Sequence, residues 1–175
     1  LMMREFKFRN FFRALFLFPM FTSEIAVALM GQVLFYEGGG GPINGILKLL
    51  GLPEVGWRSV PSIAFWTLIL VDTWQWTPFA YIITLAGLQA LPKDMIEAAL
   101  VDGASKLKIF RHITLPFLAP ILLTIYFFRL VDTMRLFEIP FTLFGGGGPG
   151  ITTETLTVYI YKTAFRGFFF GQAAA

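Results

Sequence analysis

Cysteine is absent from this chain of 175 residues, and histidine occurs only once, as His112. The first absence excludes disulfides and thiolate metal sites, and a single imidazole cannot form a metal cluster by itself. Charged residues are also scarce, at 14% of the chain. A soluble domain of this length needs more surface charge. We therefore expect no zinc or redox chemistry, no metal site and no water-soluble fold.

Apolar residues are correspondingly abundant. They make up 56% of the chain, which includes 21 Phe and has a mean hydropathy of +0.69. The net charge is only +3, and the basic residues lie beside apolar runs, a pattern that suits membrane orientation better than nucleic-acid binding. This composition predicts an all-α membrane protein that contacts lipid and does not bind nucleic acid.

Three stretches are long and apolar enough to cross a bilayer as helices, which takes roughly 20 residues. They lie at about 14–35, 63–88 and 115–141 of a single domain, 1–175. Runs of Gly and Pro at 38–42 and 145–150 break helices and indicate loops, and a short amphipathic piece covers 43–50. A further helix is predicted to start near 171–175, so the chain reads as part of a longer polypeptide with three full spans.

The positions of Lys and Arg predict the orientation of these spans, because positive residues are retained in the cytoplasm. Four basic residues precede the first span, and four lie between the second and third spans. They are Arg4, Lys7, Arg9 and Arg13, and then Lys93, Lys106, Lys108 and Arg111. The segment at about 92–112 is therefore expected to be cytoplasmic, and both glycine-rich loops are expected to face outward.

The segment 92–112 encodes a helix, a turn and a second helix. Asp94 is a suitable N-cap, with Glu97 placed three residues later for a capping box. Asp102 and Gly103 predict a turn, because glycine tolerates the left-handed conformation that ends helices. A second helix is expected to begin at Ala104. For an isolated Glu-Ala-Ala triplet, a plain linker between two membrane helices is the usual interpretation.

The extended pattern favours docking instead, because its small side chains let a partner approach the backbone. It resembles the EAA loop of the permease subunits of binding-protein-dependent ABC importers. The matching residues are Glu97, Ala98, Ala99, Asp102, Gly103, Ala104, Phe110, Ile113, Leu115, Pro116 and Pro120. The resemblance implies contact with an ATP-hydrolysing subunit through Glu97, Ala98, Ala99, Leu100, Asp102, Gly103 and Ala104.

Other segments resemble the carbohydrate-uptake branch of this family, namely 11–35, 74–79, 86–92 and 145–156. The resemblance implies a type I importer transmembrane domain in the inner membrane of a prokaryote, which translocates a sugar by alternating access. It also implies a second permease subunit, two ATP-binding subunits and an extracytoplasmic solute-binding protein. ATP and Mg would be bound by the ATPase, so this chain is expected to hold no cofactor and no catalytic residue.

Charged groups inside a bilayer are costly and should face protein or water. Two stripes at helical spacing carry such groups: Asp72, Gln75, Trp76 and Phe79, and then Arg129, Asp132, Thr133 and Leu136. Their hydrogen-bonding and aromatic groups suit a sugar, and the resemblance points to the same helices. Alternatively, the charges neutralise one another along the helix, since Arg129, Asp132, Arg135 and Glu138 alternate in sign at i, i+3.

Other classes of protein fit the sequence less well. The glycine-rich loops lack the Gly-Lys-Ser or Gly-Lys-Thr of a phosphate-binding loop, and His112 has no nucleophile or carboxylate beside it that would indicate a hydrolase. The stronger rival is an ion-coupled secondary transporter in which Asp72 and Asp132 carry protons. A docking loop is not required by such a transporter, so the importer interpretation leads.

Overall fold

The structure, a computed structural model, describes residues 9–38 and 40–175, so Arg4 and Lys7 of the orientation prediction lie outside the described residues. The described secondary structure is helical, which confirms the all-α prediction. The α-helices are α1 (Arg9–Phe21), α2 (Glu24–Leu34), α3 (Pro42–Leu49), α4 (Pro61–Ala90), α5 (Lys93–Val101), α6 (Lys106–Ile109), α7 (Leu115–Met134), α8 (Glu138–Phe144), α9 (Leu156–Tyr161) and α10 (Phe170–Ala173). Two π-helical turns, Phe110–Thr114 and Lys162–Arg166, and a 3-10 turn, Pro149–Ile151, complete the set.

The chain forms two compact units. The first contains the described residues of Leu1–Trp76 together with Thr133–Ala175, and the second is Thr77–Asp132. Each long helix, α4 and α7, has residues in both units.

The stretch 14–35 differs from the single helix that its apolar composition predicts. It forms α1 and α2, which meet at a bend of 105°. Thr22 N–H donates to the Pro19 carbonyl, and the Ser23 hydroxyl caps α2 by accepting from Ala26 N–H at 3.3 Å. Pro19 weakens the end of α1 because it has no N–H to donate, and Ser23 then starts a new helix.

The other predicted spans agree with helices only in part. Helix α4 contains 63–88 and continues through Pro78, whereas α7 ends at Met134 and α8 is a separate helix, so 115–141 is not one helix. Among the described residues, Lys106–Met134 is long and apolar enough to cross a membrane, and the bent pair in 14–34 passes the same test if taken together. The polar residues of α4 lower its hydropathy, and the assignment of three spans stays a prediction.

The first unit has an apolar core built from one face each of α2, α4 and α8. Its buried members are Val27, Ala28, Phe35, Ala64, Leu68, Val71, Ile139, Leu143 and Phe144. Gly31 lets α2 approach α8 closely, because a Cβ there would lie 3.1 Å from Leu143 Cδ1. The Gln32 side-chain amide also donates to the Thr142 carbonyl. These contacts hold the two helices together within the first unit.

The loop between α2 and α4 is held by its own side chains. Asn44 of α3 is buried and bonds to both backbone groups of Val55, each at 3.1 Å, and it accepts from Trp57 Nε1 at 2.9 Å. The Trp57 ring lies 5.4 Å from that of Phe35. Because buried polar groups need partners, this single amide organises the segment that follows α3.

Glu37 fixes the other end of the same loop. Its carboxylate accepts from the backbone N–H of Arg58, and from that of Ser59 at 2.9 Å. Burial raises the pKa of the Glu37 carboxyl, but hydrogen bonds from Ser59 and Arg58 and the positive charge of Arg58 outweigh burial, so the pKa lies below its ordinary value of 4.5. Arg58 Nε donates in turn to the Leu143 carbonyl at 3.0 Å, which ties the loop to α8.

The second glycine-rich loop forms a tight turn after α8. At Gly148, φ is +68°, and a Cβ would lie 2.4 Å from Thr153 Oγ1, so only glycine fits. Lys162 Nζ lies 2.7 Å from Glu154 Oε1 and ties the turn to the π-helical continuation of α9. The predicted start of a further helix near 171–175 coincides with the four-residue α10.

Candidate coupling segment and polar stripes

Residues 92–112, called the coupling segment from here on, form the predicted helix, turn and helix. Helix α5 begins at Lys93 with Pro92 in the N-cap position, which has no side-chain cap. The prediction that Asp94 is the N-cap is therefore wrong, because Pro92 has already turned the chain and Asp94 lies in the first turn. There its negative charge still favours the helix N-terminus. Glu97 is exposed in the second turn.

The end of α5 is a Schellman turn. Ala104 N–H donates to the Ala99 carbonyl at 2.9 Å, and Gly103 N–H donates to the Leu100 carbonyl at 3.0 Å. Gly103 has φ +73°, as the sequence predicted for a left-handed cap. Ser105 follows as the N-cap of α6 and accepts from Lys108 N–H at 3.4 Å. Ser105 was not predicted as a cap, although a Ser directly before a helical stretch is a recognisable cap signal.

The second helix of the coupling segment does not stop at its end. α6, the π-helical turn Phe110–Thr114 and α7 form one helix from Lys106 to Met134. The membrane-length helix therefore begins at the turn that Gly103 makes.

Most side chains of the coupling segment are exposed, and Ile109 is its buried member. Every residue of α5 is exposed or half-buried. Val101 is 88% exposed and Leu107 is 75% exposed, and Leu100 is also exposed. Ala98, Asp102 and Gly103 are exposed, while Ala99 and Ala104 are half-buried. A small-residue turn flanked by exposed aliphatic side chains can receive a partner that packs against the backbone.

The α4 stripe lies partly in the first unit. Gln75 is 2% exposed, and its Nε2 donates to the Thr22 carbonyl at 3.1 Å, at the bend between α1 and α2. Asp72 and Trp76 are half-buried. The sequence predicted that these polar groups avoid lipid, but it gave no sign that Gln75 bonds to the α1–α2 bend.

In the second unit, α4 and α7 meet through their aromatic side chains. The ring of Phe79 lies 5.1 Å from that of Phe128. Phe128 was not among the predicted site residues, although it directly precedes Arg129. Arg129 forms an ion pair with Asp132 one turn along α7. The pairing of opposite charges along the helix, which the sequence analysis held as an alternative, is thus present for these two residues.

The remaining members of the α7 stripe belong to the first unit. Thr133 is exposed in the last turn of α7. Leu136 lies beyond the end of the helix at Met134, so it does not continue the predicted helical face. It packs against the apolar core, and its carbonyl accepts from Thr155 Oγ1 at 2.6 Å. Whether the stripe residues bind a substrate stays a prediction.

Metal-ligating residues are not grouped in the part of the chain that the structure describes. Within residues 9–38 and 40–175, no three His, Asp or Glu side chains are placed so that they could hold a metal ion.

In this helical domain, an exposed helix–turn–helix runs directly into a membrane-length helix. Residues 2–171 match the family described as "Binding-protein-dependent transport system inner membrane component". The chain belongs to this family.

Several curated relatives are similar over most of this chain. It is 42% identical over 171 residues to the "Probable ABC transporter permease protein y4oQ" of Sinorhizobium fredii, which covers 98% of this chain and 54% of that protein. It is also 42% identical over 148 residues to the "Trehalose/maltose transport system permease protein MalF" of Thermococcus litoralis, covering 85% of this chain and 50% of that protein. The chain thus spans about half the length of these relatives.

Solved structures share the fold. The chain superimposes on a bacterial ABC transporter involved in the import of the acidic polysaccharide alginate with a TM-score of 0.79 and 23% identity, covering 98% of this chain and 60% of that one. A second structure, the alginate transporter in complex with an alginate pentasaccharide-bound periplasmic protein, gives a TM-score of 0.77 at 22% identity. The fold is therefore that of an ABC importer transmembrane domain.

Proposed function

We propose that this chain is part of the permease subunit of an ATP-driven importer that moves a sugar or sugar derivative across the cytoplasmic membrane by alternating access. The observation that carries the proposal is the coupling segment. It presents exposed aliphatic side chains around a small-residue turn, and it is continuous with the helix Lys106–Met134. Movement of a subunit docked on the turn would therefore reach the membrane without an intervening flexible joint.

The partners in this proposal follow from the family and from the chemistry that the chain lacks. Two ATP-binding subunits would bind ATP and Mg and perform the hydrolysis, so this chain acts as a transporter subunit and not as an enzyme. A second permease subunit would complete the pathway, and an extracytoplasmic solute-binding protein would deliver the substrate. The family description, "inner membrane component", supports a multi-pass location in the inner membrane of a prokaryote.

The proposed substrate class is supported by the printed names of relatives, which include trehalose/maltose, arabinooligosaccharide and sulfoquinovosyl glycerol permeases. In this chain the contacts are proposed to come from the α4 and α7 stripes. Within the second unit, Phe79 and Phe128 offer aromatic faces, and Arg129 and Asp132 offer hydrogen-bonding groups. A sugar needs both kinds of contact, because its ring has an apolar face and a rim of hydroxyls.

Proximity crosslinking in membranes tests the docking role. A cysteine replaces the exposed Ala98, and cysteines are scanned across a co-expressed ATPase subunit; residues 1–175 contribute no competing thiol. We expect a crosslink whose yield changes when nucleotide binds. Leu49→Cys is the matched control, because Leu49 is 89% exposed but lies in a loop that is predicted to face outward.

Transport assays separate the proposal from its rival. Uptake by the intact assembly should require ATP hydrolysis and should survive collapse of the proton gradient. Failure to crosslink at every ATPase position in an active complex would make the coupling segment a linker. Uptake that an uncoupler abolishes, and that does not consume ATP, would favour a secondary transporter that uses Asp72 and Asp132.

A further inference from the structure

The bend between α1 and α2 leaves backbone groups that a straight helix would pair with each other. In an uninterrupted helix, Ala26 N–H would donate to the Thr22 carbonyl, because each N–H bonds to the carbonyl four residues earlier. Here Ala26 N–H donates to the Ser23 hydroxyl instead, at 3.3 Å. The Thr22 carbonyl is therefore released from the helix and needs another donor.

Gln75 supplies that donor from α4. Its side chain is 2% exposed, and Nε2 lies 3.1 Å from the Thr22 carbonyl oxygen. The other end of the same amide, Oε1, is buried without a hydrogen-bond partner among the described residues. The buried amide thus donates one hydrogen bond, to Thr22, while its oxygen accepts none among the described residues.

The bend therefore has two sets of hydrogen bonds available. In the bent form, Gln75 bonds to the Thr22 carbonyl and Ser23 bonds to Ala26 N–H. In a straight form, Ala26 N–H would bond directly to Thr22, and neither side chain would be needed. The exchange keeps the Thr22 carbonyl and the Ala26 N–H hydrogen-bonded in both forms, even though one end of the pair swings through a large angle.

We infer that Gln75 is a positioning residue for transport, and that it holds α1 and α2 in the bent form by capping the Thr22 carbonyl. During the transport cycle, the Thr22 carbonyl changes its donor from Gln75 Nε2 to Ala26 N–H, and this change straightens α1 and α2. The link between straightening and transport rests on the proposed function, whereas the change of hydrogen-bond donor does not.

Spin labels measure the bend directly in the assembled transporter in lipid, with any cysteine outside these residues replaced. Phe11 and Val33 are exposed, at 64% each, and carry the labels after substitution by cysteine. With 1.5 Å per residue, their Cα atoms would be about 33 Å apart in a straight helix and about 20 Å apart at the observed bend of 105°. Pulsed EPR distinguishes these distances.

Gln75→Leu removes the donor and keeps the size of the side chain. We expect the ratio of long-distance to short-distance molecules to rise about fivefold, the factor that corresponds to one buried hydrogen bond. Because the substitution also removes an unpaired buried oxygen, we expect the protein to remain folded. Gln32→Leu is the matched control: Gln32 also donates from a side-chain amide to a carbonyl of another helix, but to Thr142 and not at the bend. It should leave the distances as in the wild type.

Ala26→Pro removes the donor that the Thr22 carbonyl would use in the straight form. Proline has no N–H for Thr22, and it is tolerated in the first turn of a helix, where Ala26 lies. In the double variant Gln75→Leu/Ala26→Pro, the label distances should return to the short population. Ala26→Pro alone should lower uptake by about fivefold or more, as expected if the hydrogen bond from Ala26 to Thr22 is required for transport.

Two results would overturn the inference. If Gln75→Leu gives the same distances as Gln32→Leu, or if the long population persists in the double variant, the exchange does not occur. If Ala26→Pro transports normally, straightening plays no part in transport. Absence of ATP-dependent uptake by the wild type would instead contradict the proposed function, and the distances would still report on the bend.

Discussion

The chain makes the same helix-ending turn twice, and only one of the two turns is anchored to the protein around it. Gly51 and Gly103 are the left-handed residues that follow the C-caps of α3 and α5. Both glycines have φ +73°, and neither has a described neighbour within 4 Å of the position of a Cβ. In both turns, the two backbone bonds of the Schellman motif are made. Each glycine also lies two residues after a highly exposed aliphatic residue, Leu49 at 89% and Val101 at 88%.

The surroundings of the two turns differ. After Gly51 the chain is held by Asn44, which bonds to Val55 and Trp57, and by Glu37, which accepts from the backbone of Arg58 and Ser59 just before α4. By contrast, α5 has side chains that are all exposed or half-buried. Because both helices end in this turn, the turn motif does not by itself indicate docking. What distinguishes the coupling segment is that backbone hydrogen bonds order its turn while the side chains of α5 stay exposed or half-buried.

Substituting the two glycines gives the sharpest test of this difference, and the largest effect. Valine at a left-handed position costs about 1–2 kcal/mol in either turn. We expect Gly103→Val to lower the uptake rate at least about tenfold, since such a strain must distort the docking surface. Gly51→Val should be destabilised to a similar degree but should transport normally. Both are measured by ATP-dependent uptake into vesicles; normal coupling in Gly103→Val would contradict the proposed role of the coupling segment.

Removing the anchor of the first turn should affect stability and not coupling. Asn44→Leu leaves both backbone groups of Val55 and the Trp57 indole without their partner, which costs roughly 1–3 kcal/mol for partly buried groups. Leu49→Ala, at the exposed end of the same helix, is the matched control and should leave the midpoint of thermal unfolding as in the wild type, whereas Asn44→Leu should lower it. Equal midpoints for all three would mean that Asn44 does not anchor the loop.

The cap of α6 makes a smaller contribution. Ser105→Ala removes the acceptor for Lys108 N–H, and loss of a helix N-cap costs about 1 kcal/mol. We expect faster amide hydrogen exchange in 106–110, at the junction between the turn and the long helix. Ser105→Thr should restore protection, because threonine also caps. Unchanged exchange in Ser105→Ala would show that the helix begins there for other reasons.

The smallest expected effect concerns pH. The pKa of Glu37 is lowered in the folded protein, so its contribution to stability is present above its ordinary pKa of 4.5 and is lost as the pH falls through the lower, folded value. The unfolding temperature should therefore fall more steeply below about pH 4.5 in the wild type than in Glu37→Gln. Glu54→Gln, which removes an exposed carboxylate of the same loop, controls for net charge. Parallel curves for Glu37→Gln and the wild type would exclude this role.

The local features of the candidate site could be predicted because they depend on neighbouring residues. Gly103 was predicted as a left-handed cap from its position after Asp102, and the structure has that cap. The spacing of Arg129 and Asp132 likewise predicted a possible pair within one helix. Even so, Asp94 was taken for the cap of α5, since a polar residue near a helix start is a more familiar signal than the restriction that Pro92 places on the chain.

Features that join distant parts of the chain could not be predicted. Gln75 and Thr22 are 53 residues apart, and Gln32 and Thr142 are 110 apart. Nothing in one local pattern identifies the partner in the other. The bend at Thr22 and Ser23 did have a local signal, a serine four residues after Pro19 that is followed by a glutamate, but the surrounding apolar residues outweighed it in a test that rests on composition.

The uninterrupted helix from Lys106 to Met134 has a mechanical consequence. At 1.5 Å per residue its 29 residues extend for about 43 Å, so a tilt of about 10° at its first turn would carry its last turn sideways by roughly 7 Å. That displacement exceeds the length of a hydrogen bond more than twofold. A small rotation beside Gly103 would therefore carry Arg129 and Asp132 together by several ångströms and change which groups outside this helix they can reach.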